Sequence, residues 1–106
     1  MTVTTYETLR AEAERSHAQW PQYRNHWDGW RVVEVTKRQT GKGRRVQFEA
    51  GDVALAEPDT RRERVAPRGT PVPYEEWPVV EFVTVHSWRT GIDTSVRAAN
   101  VQEVAT

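Results

Sequence analysis

A helical spacing of apolar residues opens the chain. From Thr4 to Trp20, apolar side chains recur every three or four residues, which predicts an amphipathic helix. Thr4 is followed three residues later by Glu7, the spacing of a capping box, so we expect the helix to begin at Thr4. Pro21 disfavours helical geometry at the residue before it, so we expect the helix to end at Trp20.

From Trp30 onward the apolar residues alternate with polar ones, which is typical of β-strands with one buried face. Five strands are predicted, at residues 32–36, 45–50, 53–55, 79–88 and 94–98, with residues 99–104 closing the domain. The first two are expected to form a hairpin. The fourth carries apolar residues on both faces, so we expect the helix to cover its second face. The expected core consists of Val33, Val35, Val46, Phe48, Val53, Leu55, Val83, Val85 and Val96.

Residues 57–78 interrupt the alternation. This stretch holds five of the six prolines and the charged run at residues 61–64, so it offers little apolar surface to bury. A long loop inside a compact domain is usually functional or mobile. Its Pro-Val-Pro-Tyr sequence at residues 71–74 favours an extended conformation, which could lie along a partner or along its own domain.

The end of the chain resembles the SH3-like small barrels. Residues 96–101 read Val-Arg-Ala-Ala-Asn-Val, and in that family a brief 3₁₀ turn with small residues and Asn precedes the last strand. The resemblance covers about residues 30–104. It implies a mainly β protein of the α+β class, a five-stranded SH3-like barrel with the helix packed on one face, within a single domain spanning residues 1–106. Barrels of this type serve as nucleic-acid, peptide and subunit contacts, so the fold alone does not choose among these functions.

Composition narrows the class of protein. A length of 106 residues fits one domain with one core. Cysteine is absent, which excludes disulfides and thiolate metal sites. No apolar run approaches the roughly 20 residues of a membrane span, so we expect no membrane contact and a cytoplasmic location. Thirteen arginines against two lysines are typical of GC-rich genomes such as those of actinobacteria and their phages. For a phage protein, the location would be the host cytoplasm or the virion.

Catalytic chemistry finds little support in the sequence. His17, His26 and His86 do not have the spacing of a metal-binding motif, so we expect no metal, no cofactor and no catalytic residue. Ser16 and Ser87 each neighbour a histidine. Consecutive residues on a strand point to opposite faces, which disqualifies the second pair as nucleophile and base. A small enzyme with an unrecognised site stays open as an alternative.

A basic segment is the first candidate binding site. Residues 37–45 place two glycines and five cations between two predicted strands: Lys37, Arg38, Lys42, Arg44 and Arg45. The net charge of the chain is zero, but residues 1–50 carry nine Lys/Arg against six Asp/Glu, a balance of +3. The segment predicts a basic hairpin tip that could contact nucleic-acid phosphates or an acidic partner, or could simply be solvated. No aromatic residue lies within it.

Aromatic residues are the second candidate. The chain has five tryptophans, and Trp is a residue type that anchors interfaces. We expect three in the core, with Trp77 the most exposed and Trp88 next, and Tyr74 beside Trp77 in the loop. The leading hypothesis is therefore a noncatalytic binding module that contacts a protein partner or a second copy of itself. In a phage it would be an accessory or virion-associated protein.

Overall fold

A computed structural model describes residues 6–69 and 71–104, except for the side chain of Lys42. The described chain is mainly β with one N-terminal helix, α1, at Tyr6–Ser16. The strands are β1 (Arg31–Val35), β2 (Gln39–Thr40), β3 (Val46–Phe48), β4 (Asp52–Ala56), β5 (Arg61–Arg64), β6 (Val79–Ser87), β7 (Ile92–Arg97) and β8 (Val101–Glu103). Short 3₁₀ turns occupy Pro21–Tyr23, Lys42–Arg44, Tyr74–Glu76 and Ala98–Asn100.

Helix α1 is shorter than the sequence predicts. It ends at Ser16 instead of Trp20, because two side chains compete for the carbonyl of Ala13. The hydroxyl of Ser16 donates to the carbonyl of Ala13 (2.9 Å), and Nδ1 of His17 approaches the same oxygen (3.0 Å). The predicted cap at Thr4 lies outside the described residues.

The longest strand, β6, is the centre of a curled antiparallel half-barrel. One edge of β6 pairs with β7, and the other pairs with β4 and with β5 at successive positions. Strand β4 continues the sheet to β1, and β1 to β8. Strands β2 and β3 form a separate two-stranded hairpin. The five-strand count was therefore too low, since eight short strands lie within the described ranges.

The predicted hairpin between the first two strands is wrong. Strand β1 pairs with β4 and β8, and β3 pairs with β2. The chain leaves the sheet after Val35, where the N–H of Thr36 donates to the carbonyl of Asn100 (2.8 Å). The next residues therefore start a new strand pair, which Phe48 holds against the sheet.

Two apolar clusters lie on opposite faces of the sheet. The first packs Phe48 of the hairpin against the sheet, and consists of Val33, Val35, Phe48, Ala54, Ala56, Val83, Val85 and Val96. The second lies under α1 and consists of Leu9, Ala13, Trp27, Val32 and Leu55. Seven of the nine predicted core residues are buried, whereas Val46 and Val53 are only half-buried. The predicted packing of the helix on one face of the sheet is confirmed, but the helix lies mainly over β4 and β1 instead of over β6.

The prediction for residues 57–78 is wrong in part. Strand β5 lies within them and pairs with β6, from Arg61 opposite Phe82 to Arg64 opposite Val79. All four side chains of this strand are charged, so it has no apolar alternation by which the sequence could reveal it. Arg61 links this strand to its neighbours, because its guanidinium donates to Glu57, just before β5 (2.9 Å), and to Thr84 of β6 (2.8 Å). The predicted 3₁₀ turn before the last strand is present at Ala98–Asn100.

Candidate functional site

The five tryptophans divide differently from the prediction. Trp27 is fully buried, and Trp30 and Trp77 are half-buried. The exposed ones are Trp20, with 43% of its surface accessible, and Trp88, with 39%. Trp77 was therefore wrongly placed as the most exposed, because its loop folds back upon it.

The end of the long loop is a packed corner. The indole N–H of Trp77 donates to the carbonyl of Val72 (2.8 Å), and its ring lies 5.2 Å from that of Tyr74. Arg64 donates to the carbonyls of Glu75 and Trp77 (both 3.1 Å) and lies over the Tyr74 ring. These contacts hold Tyr74 in place while 60% of it stays exposed. The corner thus presents a rigid aromatic side chain to solvent.

Next to this corner, β6 keeps an edge that lacks a strand partner within the described part of the chain. Strand β7 pairs with β6 only from Phe82 to Ser87, so Val79–Glu81 extend past it while β5 covers their other edge. A shallow groove of about 480 Å³ follows this edge. It is lined by Val79, Val80, Glu81, Arg97, Ala98 and Ala99. Val79 is 54% exposed, so apolar surface and an open strand edge coincide.

The backbone groups at this edge have a definite direction. The N–H of Glu57 donates to the carbonyl of Thr84 (2.9 Å), so even-numbered residues of β6 direct their backbone groups toward β4 and β5. Backbone groups alternate between the two edges of a strand. Val79 and Glu81 therefore direct their N–H and C=O groups to the open edge.

At the other end of β6, the ring of Trp88 packs against Arg89, which is paired with Asp52. The Arg89 guanidinium lies 4.4 Å from the Trp88 ring centroid and donates twice to Asp52, from Nε (2.6 Å) and Nη2 (2.8 Å). The indole N–H of Trp88 donates to the carbonyl of Val53 (3.1 Å). The hydrogen bonds from Arg89 lower the pKa of Asp52 below the usual range of an aspartate. The ring is thus held in one orientation.

The three aromatic residues predicted to bind protein do not form one surface. Tyr74 and Trp77 precede β6, whereas Trp88 follows it. From Val79 to Ser87 there are eight residue steps of about 3.3 Å, roughly 26 Å in all. The two ends of β6 are therefore separate candidate sites.

The basic hairpin has the exposure that the sequence predicts. Lys37, Arg38, Arg44 and Arg45 are all exposed. Arg38 pairs with Glu49 (3.2 Å), and among the described residues the other three have no carboxylate within ion-pair distance. Lys42 belongs to the predicted set, but its side chain lies outside what is described.

The structure also gathers all three histidines, which their spacing in the sequence did not indicate. Their rings surround Trp27, at 5.1 Å for His17, 5.0 Å for His26 and 5.3 Å for His86. Asp93 joins two of them, since Nε2 of His26 (2.7 Å) and Nδ1 of His86 (2.8 Å) both contact its carboxylate. No pattern in the sequence indicated this cluster, because Asp93 falls before the predicted fifth strand at residues 94–98.

Two opposing effects set the pKa of Asp93. Burial of the carboxylate favours its neutral form, but hydrogen bonds from His86 and His26 favour the charged form and outweigh burial. The pKa of Asp93 is therefore lowered. The charged carboxylate ties β7 to the segment before β1 and holds this aromatic cluster together.

Neither serine–histidine pair has the geometry of a nucleophile and its base. Because the Ala13 carbonyl can only accept, its contact with His17 requires a proton on Nδ1, so this nitrogen cannot take the proton of Ser16. Nε2 of His86 is buried and has no hydrogen-bond partner among residues 6–69 and 71–104. A substrate could not reach it without rearrangement of the cluster.

Two searches of the described residues gave negative results. They contain no group of three or more His, Asp or Glu side chains placed to hold a metal ion. None of their helices has the length and apolar character needed to cross a membrane.

The fold and its surfaces define a small, mainly β protein with an N-terminal helix and exposed contacts at both ends of its central strand. Comparison of the chain with protein-family models, curated proteins and solved structures gave no match.

Proposed function

We propose that this protein is a noncatalytic binding module of the SH3-like small-barrel type, and that it contacts a protein partner by strand addition at β6. The supporting observation is the open edge at Val79–Glu81 beside an apolar groove. An extended peptide placed there gains main-chain hydrogen bonds from the strand edge, and pockets for alternate side chains give it specificity.

The surroundings of the edge suit an extended segment with alternating apolar residues. One side of the added strand would meet Val79 and the other Val80, because successive side chains of β6 point to opposite faces. Tyr74 contacts Arg64 of β5, which pairs with the other edge of β6, so this ring lies outside the groove. Glu81 and Arg97 at the groove add charges of both signs.

Selection from a random peptide library tests this function without a known partner. We expect the enriched peptides to alternate apolar and polar residues. Their binding should slow amide hydrogen exchange at Val79 and Glu81. Glu81→Pro removes one outward N–H but no bond to β5, so it should weaken peptide binding about tenfold or more, while Glu81→Ala should not. Peptides that bind equally well to Glu81→Pro would contradict strand addition.

A second copy of the chain could pair with this edge in place of a partner peptide. Sedimentation equilibrium distinguishes self-association from peptide binding. We expect a monomer that binds peptide. A dimer that Glu81→Pro dissociates would replace the partner peptide with self-association.

A further inference from the structure

We propose that the basic hairpin and Trp88 together form a contact surface for single-stranded nucleic acid. This surface lies at the opposite end of β6 from the peptide groove and does not depend on the proposed strand addition. Its two halves come from distant parts of the sequence, and the turn between β3 and β4 joins them.

The joining contacts run through two carboxylates. Arg38 at the base of the hairpin pairs with Glu49 (3.2 Å). The N–H of Glu49 donates to Oδ2 of Asp52 (2.9 Å), the same oxygen that Nε of Arg89 contacts at 2.6 Å. Arg89 in turn stacks on Trp88. These contacts form one strip that runs around the edge of the sheet. The hairpin lies on one face, and the Trp88 ring lies on the other, beside Leu9 and Glu12 of α1.

The charges of the strip favour a polyanion. Each of the two carboxylates that link it is paired with an arginine, which leaves the cations at Lys37, Arg44 and Arg45 uncompensated among the described residues. Such cations bind phosphates and thereby release the counterions of the nucleic acid. This contribution to affinity does not depend on base sequence.

The exposed ring selects single strands over duplexes. Trp88 is 39% exposed, and its orientation is fixed by Arg89 and by the carbonyl of Val53. An unpaired base can stack on such a ring, and aromatic stacking beside a cationic groove is the usual chemistry of single-strand binding. Bases in a duplex are already stacked on one another, so a duplex can use only the cations.

Fluorescence anisotropy with a labelled 20-nucleotide oligo(dT) tests the proposal. We expect binding at about 50 mM salt that weakens with a log–log salt slope of about −2 to −3, because three or four phosphates are neutralised. Replacing both Arg44 and Arg45 by Glu should abolish binding. The matched control, Arg62→Glu with Arg68→Glu, reverses two exposed charges elsewhere and should leave it unchanged.

Trp88→Ala tests the stacking separately. We expect roughly a 5- to 150-fold loss of affinity, equivalent to stacking of one base, with an unchanged salt slope. Trp88→Leu keeps an apolar side chain at this position, so it is less prone to unfold than Trp88→Ala. Thermal unfolding of each variant checks that both are folded. Trp88→Leu should lose affinity similarly.

Three results would overturn the proposal. They are absence of oligonucleotide binding at low salt, equal loss in the Arg62/Arg68 control, and full binding by both Trp88 variants. Polyglutamate is the probe for an acidic protein. Should it bind as tightly as oligo(dT) and with the same dependence on Arg44 and Arg45, the ligand is an acidic protein and not a nucleic acid.

Discussion

At the scale of single residues, Phe48 connects the basic hairpin to the sheet. It is fully buried in the cluster with Val83, Val85 and Val96, although it belongs to a strand outside the main sheet. Its side chain is therefore the main apolar contact that sets the position of the hairpin. Loss of this contact would affect both the core and the proposed nucleic-acid surface.

Truncating Phe48 to Ala should lower the free energy of unfolding by about 3 to 5 kcal/mol, since it removes a buried ring and leaves a cavity. Phe48→Leu should cost less, because it refills part of the space. Urea denaturation followed by circular dichroism measures both. A loss below about 1 kcal/mol for Phe48→Ala would mean that the ring does not fill the core.

Asp93 is the second single residue whose contacts hold distant segments together. Its carboxylate accepts hydrogen bonds from His26 and His86, and more weakly from the indole N–H of Trp27 (3.4 Å). The negative charge is thus more stable in the folded chain than in the unfolded one. The stability of the protein should depend on this charge in acid.

The lowered pKa of Asp93 predicts a pH dependence. The carboxylate contributes stability that is fully present above its unfolded pKa, about 4, and is lost as the pH falls through the lower folded value. Asp93→Asn should therefore be less stable than wild type at pH 5, and this difference should shrink below pH 4. Asp59→Asn, at an exposed loop position, is the control and should change nothing. A difference that stays constant down to pH 2 would contradict the assignment.

At the scale of elements, β4 and β5 act as one interrupted strand along β6. They pair with the same edge of β6, and residues 57–60 form the bend between them. Only the last two residues of β4 pair with β6, whereas all five pair with β1, so the sheet curls around the first core at this point. A charged strand that carries no apolar pattern therefore helps to shape the half-barrel.

Amide hydrogen exchange tests whether β5 forms in solution. The backbone groups of Arg61 and Glu63 face β6, whereas those of Arg62 and Arg64 face away. We expect slow exchange at the first two and fast exchange at the second two. Fast exchange is also expected in the loop at Ala66, Arg68 and Gly69. Nuclear magnetic resonance measures each amide separately. Equally fast exchange at all four residues of β5, Arg61–Arg64, would mean that this strand does not form in solution.

At the scale of the whole molecule, the two proposed contacts lie at opposite ends of β6, roughly 26 Å apart by strand length. The peptide groove uses the start of β6 and the end of β7, and the nucleic-acid surface uses the hairpin and the turn after β6. Both can be occupied at once. The molecule would then hold a protein segment and a nucleic-acid strand on one small rigid body.

The sequence by itself determined the elements whose signal is local. Alternation located most of the sheet strands and the buried valines of β1, β6 and β7, because the period of two depends only on neighbouring residues. The basic tip was visible for the same reason, since its five cations all lie within residues 37–45. The final 3₁₀ turn at Ala98–Asn100 was expected from the resemblance of residues 96–101 to the SH3-like barrels.

Only the tertiary structure decided which strands pair and which distant side chains meet. Strand pairing depends on where the chain leaves the sheet, as at Thr36, and not on the alternation of either strand. His86 and Trp27, which are in ring contact, and Arg89 and Asp52, which form an ion pair, are each separated by tens of residues in sequence. No local pattern encodes such contacts, because they exist only when the sheet curls and closes the intervening loops.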